Sequence, residues 1–318
     1  MQKLDKENQT KTKKPINYFR RKQLAFFWGW LAIPLVSWLI FYWYVNFQSF
    51  VQAFQDPITN EWSLINFKDV WKSITAGMDS PNSLAVGFVN TMKYFFLGIL
   101  VHYPIQIIFC YFLYKQIFGY KAFRYIFYLP AIISAVAISG VFKQFIAASG
   151  PIGELLTSIG VEIPKGGFLG NPDTATNTIM VYTTWLCVHG HLLLVCGAMN
   201  RIPVEVLEAA RLEGVKPFGE LYYLILPLIW PTLSTLLILS CTGILNSSGP
   251  ILLLAPETNV LRTTTLNYWI FERVYAGGIF ANGQFNLVSA MGLVMTLVSF
   301  PIVMLFRKLL DYVPTVEY

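Results

Sequence analysis

Between Leu24 and Phe47 the chain has 24 consecutive positions without a charged side chain. About 20 apolar residues wound as a helix are enough to cross the hydrocarbon core of a bilayer. In that medium a backbone must satisfy its own N–H and C=O groups, so helix is the form open to such a run. Composition carries the same constraint to the rest of the chain. Of 318 residues, 55% are hydrophobic and 13% charged, where an ordinary soluble domain has about 25% charged. Mean hydropathy is +0.53. Lipid is therefore the solvent of the fold. The first run is longer and later than a secretory leader, and no small-x-small cleavage site follows it, so it reads as a retained span.

Apolar runs bounded by charged and turn residues predict six membrane helices, near 24–47, 84–114, 123–147, 175–199, 227–254 and 285–306. Most of the 23 basic residues fall on one set of segments: the tail 1–23 (Lys3 to Lys22), Lys115, Lys121 and Arg124, then Arg201, Arg211 and Lys216, and finally Arg307 and Lys308. The other connections, 48–83, 148–174 and 255–284, are longer and balanced by acids such as Asp56, Asp69, Glu154 and Glu257. Positive charge stays on the cytoplasmic side, so the expected architecture is an all-α polytopic bundle of six transmembrane helices with both termini cytoplasmic. The net charge of +6 serves topology rather than nucleic-acid binding. Trp28, Trp30, Trp38, Tyr42, Trp43 and Tyr44 frame the first span as interfacial anchors. Lys93 and Lys143 sit near predicted helix ends, where their amines can snorkel. No Asp or Glu remains at depth to relay protons, which argues against a proton-coupled carrier.

The connection between the fourth and fifth runs reads as a short helix, a stop, and a second helix returning to the membrane. Pro203 has its φ pre-set for a first turn, and Glu205 and Glu208 suit the positive end of the helix dipole. Gly214 supplies the stop, and Pro217 restarts the chain. Ala209 and Ala210 leave a smooth patch that another backbone can approach. An amphipathic helix resting on anionic lipid would not carry Glu205, Glu208, Glu213 and Glu220; docking to a soluble partner accounts for both the small and the acidic residues.

Glu208-Ala209-Ala210, three residues, Gly214, nine residues, then Leu224-x-Leu226-Pro227 resembles the EAA loop of binding-protein-dependent ABC importer permeases, and its setting resembles the maltose-type carbohydrate branch. Asn90-Thr91 at the opening of the second helix, Arg124 with Tyr128-Leu129-Pro130, and Trp185, Gly197 and Ile202-Pro203 fall in the same register. The Gly-Gly-Pro usual after the fifth span is missing; Gly249-Pro250 comes earlier. The resemblance implies a six-span permease domain at 24–318 in a bacterial plasma membrane, with 200–226 as the coupling loop. It also implies a second similar permease subunit, two ATPase subunits that hold ATP and Mg, an extracytoplasmic solute-binding protein, and a carbohydrate substrate. Glu208, Ala209, Ala210 and Gly214, with Glu205 and Pro227, are its expected ATPase-coupling residues, Glu208 pairing with a base on the ATPase. The chain itself has no G-x-x-x-x-G-K-[ST] phosphate loop, so no nucleotide cofactor is expected on it and it is not expected to be an enzyme.

Neutral sugars need hydrogen-bonding groups and aromatic faces within a largely apolar cavity. The fourth run (Tyr182 to His191) and the fifth (Thr242 to Pro250) supply them, and the Ser247-Ser248-Gly249-Pro250 run is expected to break its helix. By register with the maltose-type permeases the expected pathway residues are Asn246 and Thr183, then Leu186, Cys187, Gly190 and Leu245. Polar residues in membrane helices also serve as packing contacts between helices. His189 and His191 stand two apart, on different faces of a helix, and with no third ligand nearby no metal site is expected. Cys110, Cys187, Cys196 and Cys241 lie in apolar runs as small hydrophobes. A secondary carrier or channel for a small polar solute would show inverted repeats or intramembrane carboxylates, and a membrane enzyme a motif such as H-E-x-x-H or G-x-S-x-G. None is present.

Overall fold

The computed structural model describes residues 16–77, 84–245, 249–255, 260–275 and 284–313. Among them regular structure is helical, apart from an isolated bridge between Gln55 and Trp62. Among the described residues six stretches are long and apolar enough to span a membrane: Arg20–Ala53, Ala85–Tyr114, Ala135–Ser158, Pro172–Met199, Pro217–Gly243 and Gln284–Asp311. Two of these contain a π-helical turn just ahead of a proline: Gly98–His102 before Pro104, and Glu220–Ile225 before Pro227. A proline has no N–H for the carbonyl four residues back, and widening the preceding turn absorbs that defect.

Three expectations need correction. The third run is not one helix over 123–147 but two, Tyr120–Ile132 and Ala135–Ile146. Ile133 and Ser134 are extended (ψ 141° and 142°), and the Ser134 hydroxyl accepts from the Ala137 N–H at 3.2 Å, starting a new helix just past Pro130. The membrane-competent stretch there runs Ala135–Ser158, with a turn at 147–150. The fifth span begins at Pro217 rather than 227, so the loop leads directly into it. Asn90-Thr91 do not open the second helix, which starts at Ala85.

That last pair has a packing role. The Asn90 side-chain amide donates to the carbonyls of Arg262 (2.8 Å) and Thr264 (2.9 Å), and the Thr91 hydroxyl accepts from the Leu266 N–H at 3.1 Å. Gly87 permits the approach: a Cβ there would lie 3.3 Å from the Leu266 nitrogen. The start of the second span is thus pinned to the helix Leu266–Tyr275.

Buried side chains gather, among the described residues, in three clusters. The largest joins the second span (Tyr103, Cys110, Leu113), the fourth (Leu192, Met199), Leu207 of the loop and the fifth (Ile225, Leu233). Another joins the end of the first span (Ala53) to Val70, Trp269 and Met291. The third joins Ile138 and Phe142 to Ile179, Tyr182 and Leu254.

Candidate functional site

The expected fourth helix is interrupted at mid-length. After Pro172–Leu186 come a 3₁₀ turn, Cys187–His189, and a non-helical residue, His191 (φ −120°, ψ 10°), before helix resumes at Leu192–Met199. Gln106 of the second span repairs the break. Its amide donates to the Cys187 carbonyl at 2.7 Å, and its Oε1 lies 3.1 Å from His191 Nδ1. The Tyr103 ring stacks on His191 at 5.5 Å, and its hydroxyl donates to the Leu236 carbonyl of the fifth span at 2.6 Å. Irregular backbone within a membrane is tolerated where it is buried in protein or lines a cavity.

A cavity of about 310 Å³ lies at this break. Thr183, Leu186, Cys187 and Gly190 all line it, together with Tyr182, His189 and Pro250. The opposite wall is the second span: Tyr94, Gly98, His102 and Gln106. His102 Nε2 is held 3.0 Å from the Thr184 hydroxyl. Two buried polar atoms on the wall, the Tyr94 hydroxyl and His189 Nδ1, have no hydrogen-bond partner among the described residues. Such groups are costly when left unpaired, and in a cavity they are the ones a bound solute can satisfy. Among the described residues the lining holds no Asp, Glu, Lys or Arg. Leu245 ends the helix of the fifth span and its side chain is not described; Asn246 lies outside the described residues.

The loop 201–227 forms a second region. Its helix, Val204–Leu212, has Leu207 buried in the largest cluster and Glu205, Glu208 and Ala209 exposed. Gly214 follows with φ +74°. The Gly214 N–H bonds the Arg211 carbonyl (3.0 Å) and the Val215 N–H the Ala210 carbonyl (3.1 Å), the paired closure of a Schellman cap. Glu205, Ala209, Ala210 and Glu213 line a groove of about 540 Å³ with Gly219 and Tyr223; Glu208 is exposed beside them and is not part of the lining. Pro227 is half-buried at the start of the helix Leu226–Leu245. Glu220 departs from expectation: it is buried and paired with Lys115, so it offers no surface charge to a partner.

No family model matches the chain. The multiple sugar-binding transport system permease protein MsmF of Streptococcus mutans is 24% identical over 283 residues, 87% of this chain and 93% of its own length. The chain belongs to the carbohydrate ABC transporter permease family. The permease also shares its fold with a chain of a bacterial ABC transporter involved in import of the acidic polysaccharide alginate, at TM-score 0.78 and 18% identity, over 94% of the permease and all of that chain. A structure of the bacterial alginate ABC transporter in complex with an alginate pentasaccharide-bound periplasmic protein matches at TM-score 0.76 and 20% identity, over 92% and 96%.

In this permease the residues that sequence reasoning passed over all lie on the second span. Tyr94, His102 and Gln106 sit in a largely apolar run whose other polar residues, Asn90, Thr91 and Lys93, cluster near its start. Their recurrence at intervals of four and eight puts them on one helix face, and that periodicity was the available signal.

Proposed function

We propose that the permease carries a neutral carbohydrate inward through the cavity between its second and fourth spans, as one of two similar membrane subunits moved by two ATPases. The observation that carries this reading is the cavity wall: two unpartnered polar atoms, an amide, a threonine and tyrosine rings, without a full charge among the described residues. Such a lining suits sugar hydroxyls and ring faces, whereas a uronate polymer would call for arginine or lysine. Thr183, Leu186, Cys187 and Gly190 are the assigned contacts, with Leu245 and Asn246 contributed by the fifth span. The bundle comprises 24–318, with the basic tail 1–23 and both termini in the cytoplasm, where loop 200–226 meets an ATPase. Glu208 with Glu205, Ala209 and Ala210 presents the docking surface, and the Gly214 cap and Pro227 hold it against the fifth span. ATP and Mg sit on the partner subunits, and an extracytoplasmic binding protein delivers the solute.

The test is uptake by proteoliposomes containing the complete transporter, supplied with the cognate binding protein and a panel of neutral and uronate glycans. Uptake of neutral glycans that requires ATP is expected. Uptake driven by an ion gradient without ATP would establish a secondary carrier instead, and tight binding of peptides or metals alone by the binding protein would remove the sugar assignment.

A further inference from the structure

The cavity has two walls, and they connect differently to the loop. The fourth span runs into it through the chain itself, from Met199 across Arg201 to Val204. The second span ends at Tyr114, far from the loop in sequence, and carries Tyr94, His102 and Gln106. Its link to the loop is made by side chains. Lys115 Nζ donates to both carboxylate oxygens of Glu220, each at 2.8 Å, with the two side chains 23% and 5% exposed. One turn back, the Tyr111 hydroxyl donates to the Pro217 carbonyl at 2.9 Å, and the Lys115 amine lies 5.9 Å from the Tyr111 ring centroid. Pro217 and Glu220 open the fifth span, reached from the loop helix through the short stretch 213–216.

We infer that the Lys115–Glu220 pair is a strut that transmits movement of the coupling loop to the second span, so that both walls of the cavity move as one. A buried ion pair adds little net stability, because desolvation offsets the attraction; what it can supply is a single geometry. The apolar contacts of the largest cluster, which includes Leu113, Leu207 and Leu221, are non-directional and allow sliding. The doubly hydrogen-bonded pair and the Tyr111–Pro217 bond permit one register. Lys115 and Glu220 are positioning residues: neither lines the cavity nor faces the docking groove.

The inference rests on the importer reading, and the experiment separates the two. In the reconstituted complex, uptake and ATP hydrolysis are measured together for Glu220→Gln, for the charge swap Lys115→Glu with Glu220→Lys, and for the apolar pair Lys115→Met with Glu220→Met. The apolar pair leaves no unpaired buried charge, so it assembles even where the single variant does not. Expected are continued ATP hydrolysis with solute moved per ATP at least about fivefold lower in the Gln variant and the apolar pair, and recovery to within about twofold in the swap, the scale of a coupling energy near 1 kcal/mol. Native uptake per ATP in an assembled apolar pair would overturn the strut, as would a swap no better than the Gln variant. A native chain that associates with no ATPase would sink the importer reading itself, an outcome that loss of the pair does not produce.

Discussion

Gly214 ends the coupling-loop helix in a left-handed conformation, φ +74°, and a Cβ built there meets nothing within 4 Å. Two mechanisms for its use are therefore separable. Steric fit would make large replacements worse than small ones; backbone conformation would make all ordinary L residues alike. The structure favours the second. Placing a Cβ in the left-handed region costs about 1–2 kcal/mol, and removing glycine's freedom from the unfolded chain returns about 0.4–1 kcal/mol. The net cost of Gly214→Ala is about 1 kcal/mol, roughly a fivefold rise in the open population of the cap. Gly214→Leu should cost the same, and Gly214→Asn distinctly less, because asparagine tolerates this region. Hydrogen exchange of the Gly214-position and Val215 amides, both cap donors, reads the difference with the full-length permease in lipid nanodiscs. Exchange should quicken about fivefold in Ala and Leu and less than twofold in Asn, on the same free-energy scale. A Leu variant much faster than Ala would show that the site is sterically filled. An Asn variant as fast as Ala would show that φ is not what the glycine supplies.

Two further substitutions test the fold and the cavity. Tyr94→Phe removes a buried hydroxyl that has no partner among the described residues, so it should raise thermal stability, by up to about 1–3 kcal/mol, while slowing sugar uptake; a stability loss, or unchanged uptake kinetics across the glycan panel, would contradict its assignment to solute. Asn90→Ala removes the side-chain donor to the Thr264 carbonyl and one of two to the Arg262 carbonyl, which keeps the Thr176 hydroxyl at 3.2 Å; it should destabilise by about 1–3 kcal/mol, seen as a fall of several degrees in Tm in detergent, and an unmoved Tm would show that the two bonds do not tie the second span to the segment 262–264.

How much of the site was legible depended on whether its elements are local in sequence. The loop was: a helix, a glycine stop and a proline restart read directly from Pro203 to Pro217, because capping acts over four or five residues. The same local chemistry could not say which of its acids face outward. Glu205, Glu208, Glu213 and Glu220 look equivalent in sequence, yet Glu220 is buried against Lys115, 105 positions away. In the fourth span Thr183, Leu186, Cys187 and Gly190 were marked by register with relatives, but the break at Cys187–His191 was not expected. It exists because Gln106 satisfies the Cys187 carbonyl, and a helix break in lipid depends on a partner that the run itself does not contain.

The amino-acid sequence alone determined that this chain lives in lipid, that it is built of helices, and roughly where six of them lie. Each follows from the thickness of a bilayer and the backbone's need to bond to itself, constraints that act within one run of residues. Tertiary structure decided which polar side chains face a common cavity, which remain unpaired there, and which acid becomes buried against a lysine. Those outcomes depend on pairs of residues brought together from different helices, and no single helix encodes its neighbour.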